Sequence, residues 1–302
     1  MTQIMNFRAK PRLAISFSGG RSSAVMTKIC MDHYRFTHQI AVTFANTGCE
    51  HPDTLRFVRD CDEHWGFNTV WLEAQISHGT RKGVRHKIVS YDTASRNGEP
   101  FEEYIKKYGI PFSEAPQCTS RLKTEVMESY LRSIGFTRGK KLNYDTAIGI
   151  RADEIDRISA RRYENRFVYP LADFGWTKQK VIDYMRGFDF DLRIPEHLGN
   201  CTWCWKKSLR KHVTIALEHP HFFDFPREME RKYRHLKDGG IEGGRAFFRK
   251  RQTVDDIFAL AHSGTVKVFT DPNYSGGLEF DTEVDVGSGC SESCEAYPSD
   301  GQ

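Results

Sequence analysis

No apolar run in this sequence approaches the roughly 18 residues that a membrane-spanning helix needs. Residues 1–12 are polar and basic and lack the apolar stretch of a secretory leader. No membrane partner is expected, and a cytoplasmic location is. In that reducing setting the eight cysteines are expected to be thiols or metal ligands and not a disulfide framework. Internal repeats are absent, as are the G-x-x-x-x-G-K-S/T phosphate loop and the G-x-G-x-x-G dinucleotide fingerprint. There is no H-x-x-x-H pair to suggest a histidine metal site.

What is present describes an ordinary folded chain. Of its 302 residues 39% are apolar and 13% aromatic, enough for one or two domains with a sizeable core. The net charge of +4 is unevenly spread. Residues 206–251 hold 13 Lys/Arg against 6 Asp/Glu, whereas residues 271–302 hold eight acidic residues and no Lys or Arg. A basic segment of this kind suits a polyanion such as a nucleic acid, and equally a solvated helical face.

Short β-like runs alternate with helical patterns through the first half, the signature of a parallel sheet built from βαβ units. Strands are expected at 13–17, 40–44, 69–72 and 145–149. Helices are expected at 22–33, 52–65, 101–108, 119–134 and 177–186, the last capped by Thr177. Residues 73–100 read as a long irregular excursion. After Pro195 the pattern changes to a cysteine-bearing turn, a basic helical region reaching about residue 260, and a tail rich in Gly, Ser and Asp. The simplest division is a nucleotide-binding domain at 1–195 and a helical, cysteine-bearing region at 196–302.

The strongest local signal is Phe17-Ser18-Gly19-Gly20-Arg21-Ser22-Ser23, lying between a strand and a helix. Glycines let main-chain amides approach an anion, and the helix adds free N–H groups and its positive dipole end. Ser18, Ser22 and Ser23 add hydroxyl donors, with Ser16 and Arg21 beside them. A side chain at Gly19 is expected to occupy the phosphate position.

This loop resembles the PP-loop, SGGxDS, of the ATP pyrophosphatase and phosphoadenylyl-sulfate (PAPS) reductase superfamily, with Ser22 where that pattern has Asp. Four further segments resemble the same family in the same order. Asn46-Thr47-Gly48 stands for its DTG, where a polar residue can reach adenine or ribose. Cys118-Thr119 followed by Lys123 is similar to its Cys-Thr-x-x-x-Lys, with Arg121 and Lys123 as candidate anion contacts. Gly149-Ile150-Arg151-Ala152-Asp153-Glu154 is similar to its Gly-x-Arg-x-x-Glu, with Arg151 meeting an anion, Glu154 orienting it or a metal, and Arg157 a further anion contact. The stretch from Tyr169 to Thr177 resembles its Y-P-L-x-D-W-T, which closes the nucleotide pocket. The resemblance implies an open, mostly parallel twisted sheet with helices on both faces. It also implies an adenine nucleotide, ATP or adenylyl sulfate, with Mg as an accompanying ion. Cys118, Arg151 and Glu154 become the candidate catalytic residues.

Cys201-Thr202-Trp203-Cys204 has the spacing at which two thiolates share one metal centre. A 4Fe–4S cluster, a structural zinc and a redox dithiol compete for it, and the resemblance favours the cluster. Adenylyl-sulfate reductases hold one with a Cys-Cys pair matching Cys118 and a distal C-x-x-C; here Gln117 replaces the first of that pair. A phage and prophage subgroup of PAPS-reductase-like proteins looks similar from the S-G-G-R loop through I-P-E-H-L-G-N-C to C-S-E-S-C-E. Cys290 or Cys294 of that last segment is therefore expected to complete the set of Cys118, Cys201 and Cys204. An open iron that binds sulfur is the alternative. Cys30 reads as core, while Cys49 and Cys61 show no partner spacing.

The reductase branch of the family attacks sulfate with a cysteine in E-C-G-I/L-H, which this chain lacks. Adenylation-coupled sulfur transfer or nucleic-acid modification is therefore the first expectation, served by an unknown sulfur or electron donor protein. PAPS or adenylyl-sulfate reduction is the second. A non-catalytic nucleotide-binding iron–sulfur protein is the third.

Overall fold

In the computed structural model, the described residues are 10–79, 83–113, 115–137 and 142–270. The tail bearing Cys290 and Cys294 lies outside them. The core is a six-stranded sheet in the order β4-β3-β2-β1-β5-β6. Its strands are β1 (Arg12–Ser16), β2 (Gln39–Asn46), β3 (Val70–Ile76), β4 (Val84–Val89), β5 (Asp145–Ala147) and β6 (Phe167–Val168). All neighbouring pairs are parallel except β3 with β4. This is the expected mostly parallel α/β fold.

Parallel strands covered on both faces need apolar residues at successive positions, and β1 supplies them. Ala14 joins Ala41, Leu131, Phe136 and Tyr144 on one side, while Leu13 and Ile15 enter the main core on the other. Helix α1 (Arg21–Tyr34) packs against α5 (Pro170–Asp173) and α6 (Lys178–Met185), and α4 (Glu125–Ser133) lies across β2, β3 and β4. Helix α2 (Pro52–Trp65) has clear local signals. Pro52 takes its first turn, His51 Nδ1 accepts the Asp53 amide at 3.1 Å, and Gly66 ends it with φ +66°. Thr177 caps α6 as expected, accepting the Lys180 amide.

The expected excursion at 73–100 is corrected. Strand β3 runs on to Ile76 and β4 returns antiparallel along it, Leu72 opposite Ile88 and Ala74 opposite His86. Arg85, His86 and Lys87 interrupt the apolar pattern of β4 because it is an edge strand, and charge on an edge discourages pairing with other chains. The two-residue β6 also escaped the sequence reading.

Beyond residue 195 the chain forms α7 (Leu209–Glu218), α8 (Asp224–Tyr233) and α9 (Val254–Ser263), with α3 (Glu99–Tyr108) packed against α8. Trp203, Phe223, Phe247 and Phe248 belong to the same apolar cluster as the sheet. Among the described residues no helix is long and apolar enough to cross a membrane.

Glu230 on α8 holds this region together by accepting the amides of Phe247 at 3.1 Å and Val254 at 2.9 Å. Burial pushes its carboxyl up from 4.5 to about 7, the two amides pulling the other way. A raised acid binds its proton more tightly in the folded state, so the contribution of Glu230 to stability is greatest at low pH and falls as pH rises through that window. The full effect is about 3 kcal/mol. Chemical denaturation at pH 5 and pH 8 should show this loss in the native chain and not in Glu230→Gln. Equal pH dependence in the two would refute it.

Candidate functional site

The loop between β1 and α1 is built around two unlike glycines. Gly19 has φ +81°, a conformation that side chains resist, and a Cβ there would meet Thr54 Cγ2 at 2.7 Å and Val58 Cγ2 at 3.1 Å. Those atoms belong to α2, so the expectation that a Gly19 side chain would fill the phosphate position is corrected. It would strike the core. Gly20 lines the cavity beside the loop, at φ −91°, and a Cβ on it would have only Ser18 Oγ within reach at 3.7 Å. Gly20 is the residue before α1 and gives the helix no side-chain cap, which leaves its first amides facing the cavity side. Ser23 stiffens the loop: its hydroxyl donates to the Gly20 carbonyl at 2.9 Å and accepts the Ser18 amide at 3.2 Å.

Arg151 reaches this loop from the end of β5. Its guanidinium donates to Ser22 Oγ at 3.1 Å and to Asp153 at 3.0 Å, and it pairs with Glu154 at 3.4 Å. Glu154 in turn pairs with Arg157. Burial alone would raise the Asp153 carboxyl, but the hydrogen bond and charge of Arg151 hold it below its ordinary value. The cavity in front has a volume of about 250 Å³. Arg21, Arg151, Lys178 and Arg186 line it against Asp191 and Glu196, and Val181, Ile182, Leu192 and Ile194 give it an apolar wall. Arg21 is anchored to Asp191 at 2.8 Å, and Lys178 to Glu196 at 2.9 Å.

A second, narrower cavity contains the cysteines. Cys118, Cys201 and Cys204 all line it, together with Thr47, Lys123 and Lys206. Cys118 starts the helical run that becomes a π-helical turn at Ser120–Thr124, a rare geometry often found at functional positions. Cys201 is drawn to the sheet by an antiparallel bridge with Glu50 and by the Thr202 amide donating to the Cys49 carbonyl at 3.0 Å. Trp203 packs on Phe101, Phe225 and Phe247, closing the far side. His212 donates from Nε2 to the Cys204 carbonyl at 2.9 Å, and burial pushes its pKa down to about 3, so it is neutral. Three thiols with two lysines on one wall suit a soft, anionic metal–sulfur centre by donor type. Among the described residues no three His, Cys, Asp or Glu side chains form a group that could hold a single metal ion.

Several expected site residues are occupied elsewhere. Asn46 is fully buried; its amide donates to Glu73 at 2.8 Å and the Ser95 carbonyl at 2.9 Å, and its oxygen accepts the Gly48 amide at 3.1 Å. It holds the turn at Thr47-Gly48. Ser16 is buried against Met127. Arg121 pairs with Glu125 and covers Tyr108, Lys123 approaches Glu50, and Arg157 is held by Glu154, so none of the three lines the phosphate-loop cavity. Gly149 and Gly48 shape backbone beside the two cavities without lining either.

Cys30 is core, as expected, with burial pushing its thiol up to about 12. Cys49 was passed over for want of partner spacing, yet it lies beside Cys201. Burial pushes its thiol well above the ordinary value, with Cys201 and Glu50 adding to the shift. Glu50 was missed as well. A carboxylate directly after a strand end and its turn was the available signal, and an ordinary helix N-terminus gives the same signal.

With these positions known, relatives can be placed beside the chain. The phosphoadenosine phosphosulfate reductase domain matches residues 12–192. An uncharacterised nin region protein of Escherichia phage lambda is 32% identical over 290 residues, covering 94% of each chain. An uncharacterised protein of Methanocaldococcus jannaschii is 24% identical over 262 residues, which are 78% of this chain and 46% of that one. Among solved structures, a U34-tRNA thiolase from Methanococcus maripaludis with its 4Fe–4S cluster aligns over 83% of this chain and 81% of its own, with a TM-score of 0.40 and 13% identity.

The two glycines separate folding from binding. Gly19→Ala should cost roughly 2–4 kcal/mol, from left-handed strain and overpacking together. Gly20→Val should fold normally and lose affinity for phosphate-bearing ligands. Denaturation curves with ligand titration read both; a Gly19→Ala chain as stable as the native one would refute the packing argument.

Proposed function

Because the chain belongs to the phosphoadenosine phosphosulfate reductase domain family, we propose that it binds an adenine nucleotide at the phosphate loop and uses it in sulfur-transfer chemistry at the neighbouring thiol cavity. The observation that carries this reading is that successive chain segments line the two cavities. Ile194, Pro195, Glu196 and Gly199 line the phosphate-loop cavity, and Cys201 followed by Trp203 to Lys206 lines the thiol cavity immediately afterwards. A ligand's phosphates at Gly20, Ser22 and Arg151 would therefore lie one short segment away from Cys201.

The roles follow from the chemistry of each group. Amides at the start of α1, the loop hydroxyls and the Arg151 guanidinium stabilise phosphate charge. Glu154 and Asp153 orient Arg151. The apolar wall from Val181 to Ile194 offers a face for the adenine ring. Cys118, Cys201 and Cys204 would hold a 4Fe–4S cluster, with a tail cysteine, Cys290 or Cys294, as fourth ligand. Such a group, when bound, supplies a site at which sulfur can be held or electrons exchanged. Lys123 and Lys206 offset its negative charge. Arg151 facing Ser22, where the family pattern has a carboxylate, leaves less room for a phosphate-bound Mg ion at that point. The basic stretch 206–251 suits a nucleic-acid acceptor.

Reduction of an adenylyl sulfate remains the second reading, on the ground of family membership. Incubation with ATP and with adenylyl sulfates in parallel separates the two: pyrophosphate release supports the first and sulfite release the second. Nucleotide binding with neither product would reduce the protein to a binding module.

Protein purified without oxygen is expected to be brown, and Cys201→Ser or Cys204→Ser should remove the colour while Cys30→Ser keeps it. A colourless protein carrying one zinc would sink the cluster assignment. Arg151→Ala should weaken nucleotide binding by about tenfold or more, the loss of a charge-assisted contact being about 1.5–3 kcal/mol; calorimetric titration reads this directly.

A further inference from the structure

Glu50 lies behind the thiol cavity and not in it. Its side chain is 2% exposed. A carboxylate buried so deeply costs several kcal/mol unless it is hydrogen-bonded and paired. Its partners are unusual in what else they do. One oxygen accepts the Thr47 amide at 2.9 Å and the Cys49 amide at 3.2 Å, and both oxygens lie 2.9 Å from the Thr47 hydroxyl. Lys123 approaches at 3.7 Å. Thr47 and Lys123 both line the cavity that Glu50 itself does not reach.

Capping two backbone amides needs an acceptor, and a neutral one would do. A charge is called for by Lys123, which is itself buried. Thr47 extends the arrangement to the cysteines. Its hydroxyl, held by Glu50, also stands 3.4 Å from Cys201 Sγ, a contact in which either group can be the donor. One carboxylate thus orients a contact to Cys201 and a cation on the π-helical turn that follows Cys118.

We propose that Glu50 is the positioning residue of the three-thiol centre. Through Thr47 it sets the Cys201 side chain, and through Lys123 it sets the turn that carries Cys118, so that thiols from distant segments face one soft metal centre. The proposal rests on the reading of these thiols as metal ligands. It adds the group that arranges them.

The test compares Glu50→Gln, Thr47→Val and Thr47→Ser with the native chain in two measurements. The metal-free chains are alkylated with iodoacetamide and the labelled cysteines identified by mass spectrometry. In parallel, chains are loaded with ferrous iron and sulfide under anaerobic conditions, and iron content and visible absorbance are followed against a chelator. Thr47→Val and Glu50→Gln should change the labelling rate of Cys201 relative to Cys204 and lose iron about tenfold more readily, the usual size of an outer-sphere effect. Thr47→Ser should restore both. A merely structural role would lower stability while leaving the labelling ratio unchanged, and that result would overturn the proposal. If Glu50→Gln does not fold, the Thr47 pair decides. If the native chain takes up no iron and sulfide, the metal reading fails, while the labelling ratio still decides whether Glu50 arranges the thiols.

Discussion

Charged groups buried at the carboxyl end of a parallel sheet need partners, and here three of them are hydrogen-bonded to or paired with a residue from another strand or its loop. Arg151 leaves β5 and meets Ser22 in the loop after β1. Glu50 follows β2 and meets Lys123, just before α4. Glu73 of β3 accepts from Asn46 of β2. An unpaired charge in these positions would cost several kcal/mol, so the loops are fixed to one another wherever the strands end. The site lies where ligands of open α/β sheets are held.

That interlocking also determines which residues remain available to a ligand. Asn46, Arg121 and Arg157 carry polar groups of the right kind, but their hydrogen bonds and ion pairs are directed inward or sideways. Arg151 links carboxylates and loop, its Nε held by Asp153 while Nη1 contacts both Glu154 and Ser22 of the loop after β1. The chain after Pro195 then passes from the first cavity to the second between Gly199 and Cys201.

Much of the fold was legible because its signals are local. Pro52, His51 and Gly66 delimit α2 within the helix itself, and Thr177 does the same for α6. The apolar strands β1 and β2 announce themselves by composition. Strand β4 was not legible, because an edge strand with Arg85, His86 and Lys87 resembles a polar loop until a partner strand is found for it. The Gly19 argument failed for a related reason. A glycine's neighbours in sequence show that the chain turns, but only packing shows that its missing Cβ would have met Thr54.

By itself the sequence determined the family, the strand–loop–helix that offers amides to an anion, and the set of cysteines from which a metal centre can be drawn. These follow from spacing along the chain, which fixes what a backbone segment can do locally. Tertiary structure alone decided that Cys118 and Cys201, far apart in sequence, share a cavity, that Asn46 is spent on the turn, and that Glu50 stands behind the thiols. Those facts depend on which loops the sheet order 4-3-2-1-5-6 brings side by side, and on the need to pair every charge buried between them.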